Sequence, residues 1–125
     1  MPTKTWDTQT EWEEWTLTNL QVSNGVVTLA AGAAQGTALS PAYECASWKQ
    51  YARVVVYGSL PAGTNIYLRF RTGNTQEECE AATWSSYING FDLDGVMVYN
   101  LQVHILNEGI SAGPWIQFEL TLVSE

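Results

Sequence analysis

One histidine, His104, and 13 acidic residues are the side chains with the most scope for reaction chemistry in this chain. His104 alone has an ordinary pKa near neutrality, as a general base requires. No Gly-x-Ser-x-Gly elbow and no reactive-cysteine signature accompanies it. It also falls on the polar side of an alternating stretch, where a histidine is an ordinary surface residue. Paired carboxylates can act as acid and nucleophile across a glycosidase cleft, but no pattern here sets two acids on opposite walls. Asp92-Leu93-Asp94-Gly95 opens like a calcium loop, yet the late bidentate Glu is missing at its spacing, and the segment reads equally as a plain Asp-Gly turn. Cys45 and Cys79 lie far apart and outside any Cys-x-x-Cys pair, and read as two separate thiols or as one disulfide. A single histidine without paired ligands does not make a zinc site. The expectation is no catalytic residue, no cofactor and no metal.

Binding is better represented. Six tryptophans are a surplus that core packing absorbs only in part. Trp6 and Trp12 sit in an acidic N-terminal stretch, 1–14, that precedes the first convincing strand. Such an arm either packs back as an edge strand or docks on a neighbouring subunit, in which case its deletion leaves a folded monomer that no longer assembles. Arg53, Arg69 and Arg71, with Tyr51, Tyr57 and Tyr67, point to the polar side of strands expected to be neighbours. Two readings are open: a Tyr/Arg-rich protein interface, or cross-strand pairing with acids such as Glu119. Trp115 also faces the polar side of its strand. The candidate interface is therefore Trp6, Trp12, Arg53, Tyr67, Arg69, Arg71 and Trp115. Exposed Trp or Tyr would equally suit a glycan.

The charge balance excludes partners. Five bases against 13 acids, a net charge of −8, oppose binding to nucleic acid, which needs Lys and Arg to displace counterions, and to an anionic membrane surface. No apolar run is long enough for a transmembrane helix, and no signal peptide follows Met1. The expectation is a chain made in the cytosol.

Period-two alternation supplies the elements that hold these residues. Residues 64–72 place Ile66, Leu68 and Phe70 opposite Tyr67, Arg69 and Arg71. Residues 115–123 place Ile116, Phe118, Leu120 and Leu122 opposite Trp115, Gln117, Glu119 and Thr121. Residues 98–106 place Tyr99, Leu101, Val103 and Ile105 opposite Asn100, Gln102 and His104. Each is the pattern of an antiparallel strand with one buried and one wet face. Asn24-Gly25 marks a hairpin between 16–22 and 26–30, and Pro61-Ala62-Gly63, Asn89-Gly90 and Asn107-Glu108-Gly109 punctuate the rest. Thr75-Gln76-Glu77-Glu78 fits a capping box, so one short helix is expected near residues 75–83, with a return to strand at 84–88. The fold class is all-β: one antiparallel β-sandwich domain over 1–125, jelly-roll-like, of about eight strands. Its core comprises Ile66, Leu68, Phe70, Leu101, Val103, Ile116, Phe118 and Leu120. Phe118→Ala should then be costly and Gln117→Ala cheap.

Several segments together resemble a small β-sandwich module found in tailed-bacteriophage virion proteins and some bacterial surface proteins. They are Trp6-Asp7-Thr8-Gln9 with Glu11-Trp12-Glu13, Leu17-Thr18-Asn19-Leu20, Leu39-Ser40-Pro41, Pro61-Ala62-Gly63-Thr64-Asn65-Ile66 with Arg69-x-Arg71-Thr72, Ala82-Thr83-Trp84-Ser85 and Gly113-Pro114-Trp115-Ile116-Gln117-Phe118. Pro114 departs from the arginine or polar residue expected there, and no functional residue carries over. The resemblance implies a non-catalytic virion part (tail, fibre, baseplate or capsid accessory) that contacts other virion proteins and copies of itself and resides in the virion. The alternative is a carbohydrate-binding module.

Overall fold

The computed structural model describes residues 9–23, 25–45, 53–57, 64–88, 96–110 and 113–124. Trp6, Trp48, Tyr51 and the turn segments 61–63, 89–90 and 92–95 lie outside them. The chain is mostly β-strand in antiparallel sheets, sandwich-like as the alternation predicts. Its centre is β9 (Trp115–Ser124). Along one edge β9 pairs with β7 (Thr64–Gly73) over their full lengths. Along the other it pairs with β4 (Gln35–Leu39) and then β5 (Tyr43–Glu44). β1 (Thr16–Thr18) extends the sheet beyond β4. Two further pairs are β2 (Leu20–Ser23) with β3 (Val26–Leu29), and β6 (Arg53–Tyr57) with β8 (Val96–Asn100).

The register joins the two alternating stretches in phase. Leu68 faces Leu120, Phe70 faces Phe118 and Thr72 faces Ile116, so both apolar rows fall on one side of the sheet. A slip of one residue would bury the arginines instead. Met97 of β8 and Val54 of β6 join the same cluster from the second sheet. Of the expected core, Leu68, Phe70, Leu101, Ile116, Phe118 and Leu120 are buried and Ile66 is half-buried, while the Val103 side chain lies outside the described ones.

Four expectations need correction. The first concerns 98–106: β8 stops at Asn100 and α3 (Leu101–Glu108) begins at once. Leu101 and Ile105 satisfy both a two-residue and a helical period, so alternation alone did not separate them. His104 decides, because its burial places Leu101, His104 and Ile105 on one helical face. Gly109, at φ +65°, terminates the helix. Its N–H reaches Leu106 O at 3.4 Å and the Ile110 N–H reaches Ile105 O at 3.0 Å, a Schellman cap with Ile110 packed on the core. The Asn107-Glu108-Gly109 turn signal is thus a helix stop.

Second, 16–22 is two strands. Asn19, at φ +59°, takes the left-handed conformation that asparagine tolerates better than most residues, sending β1 to β4 and β2 to β3. The Asn24-Gly25 hairpin forms as expected, with Ser23 opposite Val26 and Gly25 at φ +78°. Third, 84–88 does not return to a full strand. Ile88 makes a single bridge to Leu68, while Ser85 donates its N–H to Phe70 O and accepts the Phe70 N–H on Oγ. This irregular segment caps the outer edge of β7, which would otherwise invite further pairing. Fourth, the polar row of β9 is not wet, since Gln117 and Thr121 are buried.

The N-cap half of the capping box forms. Thr75 Oγ1 accepts the Glu78 N–H at 3.1 Å and starts α2 (Gln76–Ala81), while the Glu78 carboxylate accepts the N–H of Asn74, one residue before the cap, rather than that of Thr75. Near the N-terminus, α1 (Gln9–Trp12) brings Trp12 against Trp15, ring centres 5.0 Å apart, and onto the core. Trp12 therefore packs back as helix rather than as an edge strand.

The sulfurs of Cys45 and Cys79 are separate thiols. Burial pushes the Cys79 thiol up to about 11, against a lowering by Arg71. Thiolate is the reactive form, so at pH 8 one thiol per chain, Cys45, should react with a disulfide reagent in the folded protein. The second should react only after denaturation. Two fast thiols, or none at all, would contradict this arrangement.

Candidate functional site: an arginine and aromatic face

The register that buries Phe70 against Phe118 also sets Arg69 opposite Glu119 and Arg71 opposite Gln117 on the reverse face. Arg69 Nε donates to Glu119 Oε1 at 2.8 Å, with both side chains partly buried. Arg71 Nε donates to Gln117 Oε1 at 2.8 Å, and its Nη1 approaches Ala82 O at 3.4 Å. The pairing with Glu119 foreseen from sequence is present.

Two residues that sequence reasoning did not assign complete the face. The Trp84 ring lies 4.7 Å from the Arg69 guanidinium and 4.2 Å from that of Arg71. Tyr87 sits 5.0 Å from Arg69 and meets the Tyr67 ring edge-on at 6.0 Å. Cation–π contacts of this kind contribute about 0.5–1 kcal/mol each at exposed sites. Their greater effect is to hold planar groups in fixed orientations. Tyr87 remains 53% exposed. Trp84 and Tyr87 come from the irregular 82–88 segment, whose seating depends on the Ser85 clamp to Phe70. Only the aromatic surplus signalled them.

The other candidates separate. Trp115 continues the outward row of β9 beside Gly73 and is half-buried. Arg53 begins β6, whose partner is β8, so it does not share a sheet with Arg69 and Arg71. Trp12 is half-buried and packs against the core cluster. Of the residues expected from sequence, the β7–β9 ladder thus brings together Tyr67, Arg69 and Arg71, with Trp115 along the strand, and Trp6 lies outside the described residues.

His104 is not the surface residue its alternation suggested. It is 6% exposed, packs on the Phe70 ring at 5.5 Å and places Nε2 2.9 Å from Glu108 Oε2. Glu108 also accepts the Ser86 N–H at 3.1 Å and the Ser86 hydroxyl. Those bonds from Ser86 hold the Glu108 carboxyl below its usual range. Ser, His and a carboxylate together invite comparison with a catalytic triad. A triad needs the carboxylate on the ring nitrogen remote from the serine, whereas here Glu108 and Ser86 both converge on Nε2, with Ser86 Oγ at 3.4 Å. The trio is a clamp tying α3 to the 84–88 segment. Because the folded carboxyl is depressed, the clamp's contribution is present above the unfolded pKa and is lost as pH falls through the folded value.

Among the described residues, no group of three His, Cys, Asp or Glu is placed to hold a metal ion, and no helix is long and apolar enough to cross a membrane. The chain matches no protein-family model, no curated protein and no solved structure.

Proposed function

We propose that this chain is a non-catalytic structural protein of a bacteriophage virion, an accessory or decoration subunit on capsid or tail. It acts through protein–protein contacts with other virion proteins and with copies of itself. The observation that carries the contact reading is the oriented Arg69–Trp84–Arg71 stack with Tyr67 and the exposed Tyr87 beside it. Arg, Trp and Tyr are the residue types that anchor protein interfaces. A cationic aromatic patch on a chain of net charge −8 suits an acidic partner surface, which a second copy also offers. The virion setting rests on the resemblance of the Leu39-Ser40-Pro41 and Gly113–Phe118 segments and their companions.

The test is Tyr87→Ala, whose exposed ring can be removed without touching the core. Sedimentation and co-sedimentation with phage particles should show self-association or particle binding for the native chain. The variant should weaken that binding about thirty-fold, the scale of a ~2 kcal/mol hot spot. A native chain that stays monomeric and ignores capsids and tails would sink the proposal.

A further inference from the structure

The start of α2, the 82–84 stretch and the end of α3 enclose an open cleft of about 460 Å³, within the roughly 300–1,000 Å³ of small-molecule sites. Its walls carry Trp84, Glu78, Glu108, Asn74, Thr72 and Thr83. The floor is rigid for a steric reason. A Cβ on Gly73 would run into the Cys79 backbone, and one on Gly113 would run into Gly73 O. The end of β7, the first turn of α2 and residue 113 are thereby locked together.

The lining is selective in its chemistry. It presents one indole, two carboxylates, an amide and two hydroxyls, and no Lys or Arg. Glu78 uses one oxygen on the Asn74 N–H at 3.2 Å. Glu108 is held in place by Ser86 and His104. Two fixed carboxylates are strong acceptors for hydroxyl donors and repel anions. An organic cation on Trp84 would lie close to the like-charged Arg69 and Arg71 guanidinium groups at that ring, a repulsion that a neutral ligand does not meet. What remains is a neutral molecule with an apolar C–H face and a rim of hydroxyls. We infer that the cleft binds a neutral saccharide, its ring against Trp84 and its hydroxyls donating to Glu78 and Glu108. The cleft shares Trp84 with the protein-contact face but not Tyr87, and Glu78 belongs to the cleft alone, so Tyr87→Ala and Glu78→Gln separate failure of one reading from failure of the other.

The experiment uses the full chain. Methyl glycosides of glucose, galactose, mannose and N-acetylglucosamine are titrated by calorimetry and tryptophan fluorescence, beside N-acetylneuraminic acid and tetramethylammonium. At least one neutral glycoside should bind saturably in the millimolar range or better. Glu78→Gln, at an exposed position, should keep the native circular dichroism and weaken binding about five-fold, the scale of one lost hydrogen bond. Trp84→Ala should abolish binding, and Glu78→Gln keeps the test decisive should that variant not fold. The inference is overturned if no neutral glycoside saturates, or if the acid sugar or the ammonium ion binds better. Binding indifferent to Glu78→Gln, or lost in Tyr87→Ala alone, overturns it as well.

Discussion

Phe70→Ala is expected to lower the stability of the fold by about 3–5 kcal/mol, the range for a buried aromatic truncated in a packed core. Phe70 is fully buried. Its ring lies 6.5 Å from that of Phe118 and 5.5 Å from that of His104. The cost falls at the upper end when the surroundings cannot collapse into the hole, and here they are pinned on both sides. β9 holds Phe70 in register with Phe118, and Ser85 clamps its N–H and C=O from the other edge. Urea unfolding should show the midpoint falling at nearly constant slope, the mark of lost stability without a change in the surface exposed. Phe118→Ala belongs to the same class. A loss under about 1.5 kcal/mol at Phe70 would mean that the core is centred elsewhere.

Position 70 was legible in the sequence for a simple reason. Ile66, Leu68 and Phe70 alternate with charged and aromatic residues, and no helical period fits that stretch. The matching row at Ile116, Phe118 and Leu120 then required a partner strand in phase. Thr75 and Glu78 were legible as well, because a capping box is local chemistry. Residues 101–108 were not, since Leu101 and Ile105 fit either period and the deciding fact, burial of His104, is tertiary. That burial depends on Phe70, a residue distant in sequence that meets His104 only after folding. The site divides in the same way. Arg69 and Arg71 follow from strand parity, whereas Trp84 and Tyr87 are delivered by an irregular segment held by Ser85 and Ser86. Hydrogen bonds of serine to a strand edge leave no periodic trace.

Gln117→Ala is expected to cost about 2–4 kcal/mol, where alternation alone made it a cheap change at a wet position. The side chain is 4% exposed and works at both ends. Oε1 accepts from Arg71 Nε at 2.8 Å, and Nε2 donates to Ser40 O at 2.8 Å. Ser40 is itself buried and clamps the next residue, accepting the Phe118 N–H on Oγ at 2.8 Å and donating its own N–H to Phe118 O at 2.9 Å. Truncation strands a buried carbonyl and removes the acceptor opposite a guanidinium. Each orphaned buried group costs about 1–3 kcal/mol, which exceeds the net worth of the bond it replaces. Gln117→Glu separates the two ends: the carboxylate keeps Arg71 but turns an acceptor toward Ser40 O, so it should remain clearly destabilising. Arg71→Ala combined with Gln117→Ala should show a coupling of about 0.5–3 kcal/mol in a double-mutant cycle. Additive losses, or a Gln117→Ala cost below about 0.5 kcal/mol, would return this row of β9 to the solvent, where the alternating pattern first put it.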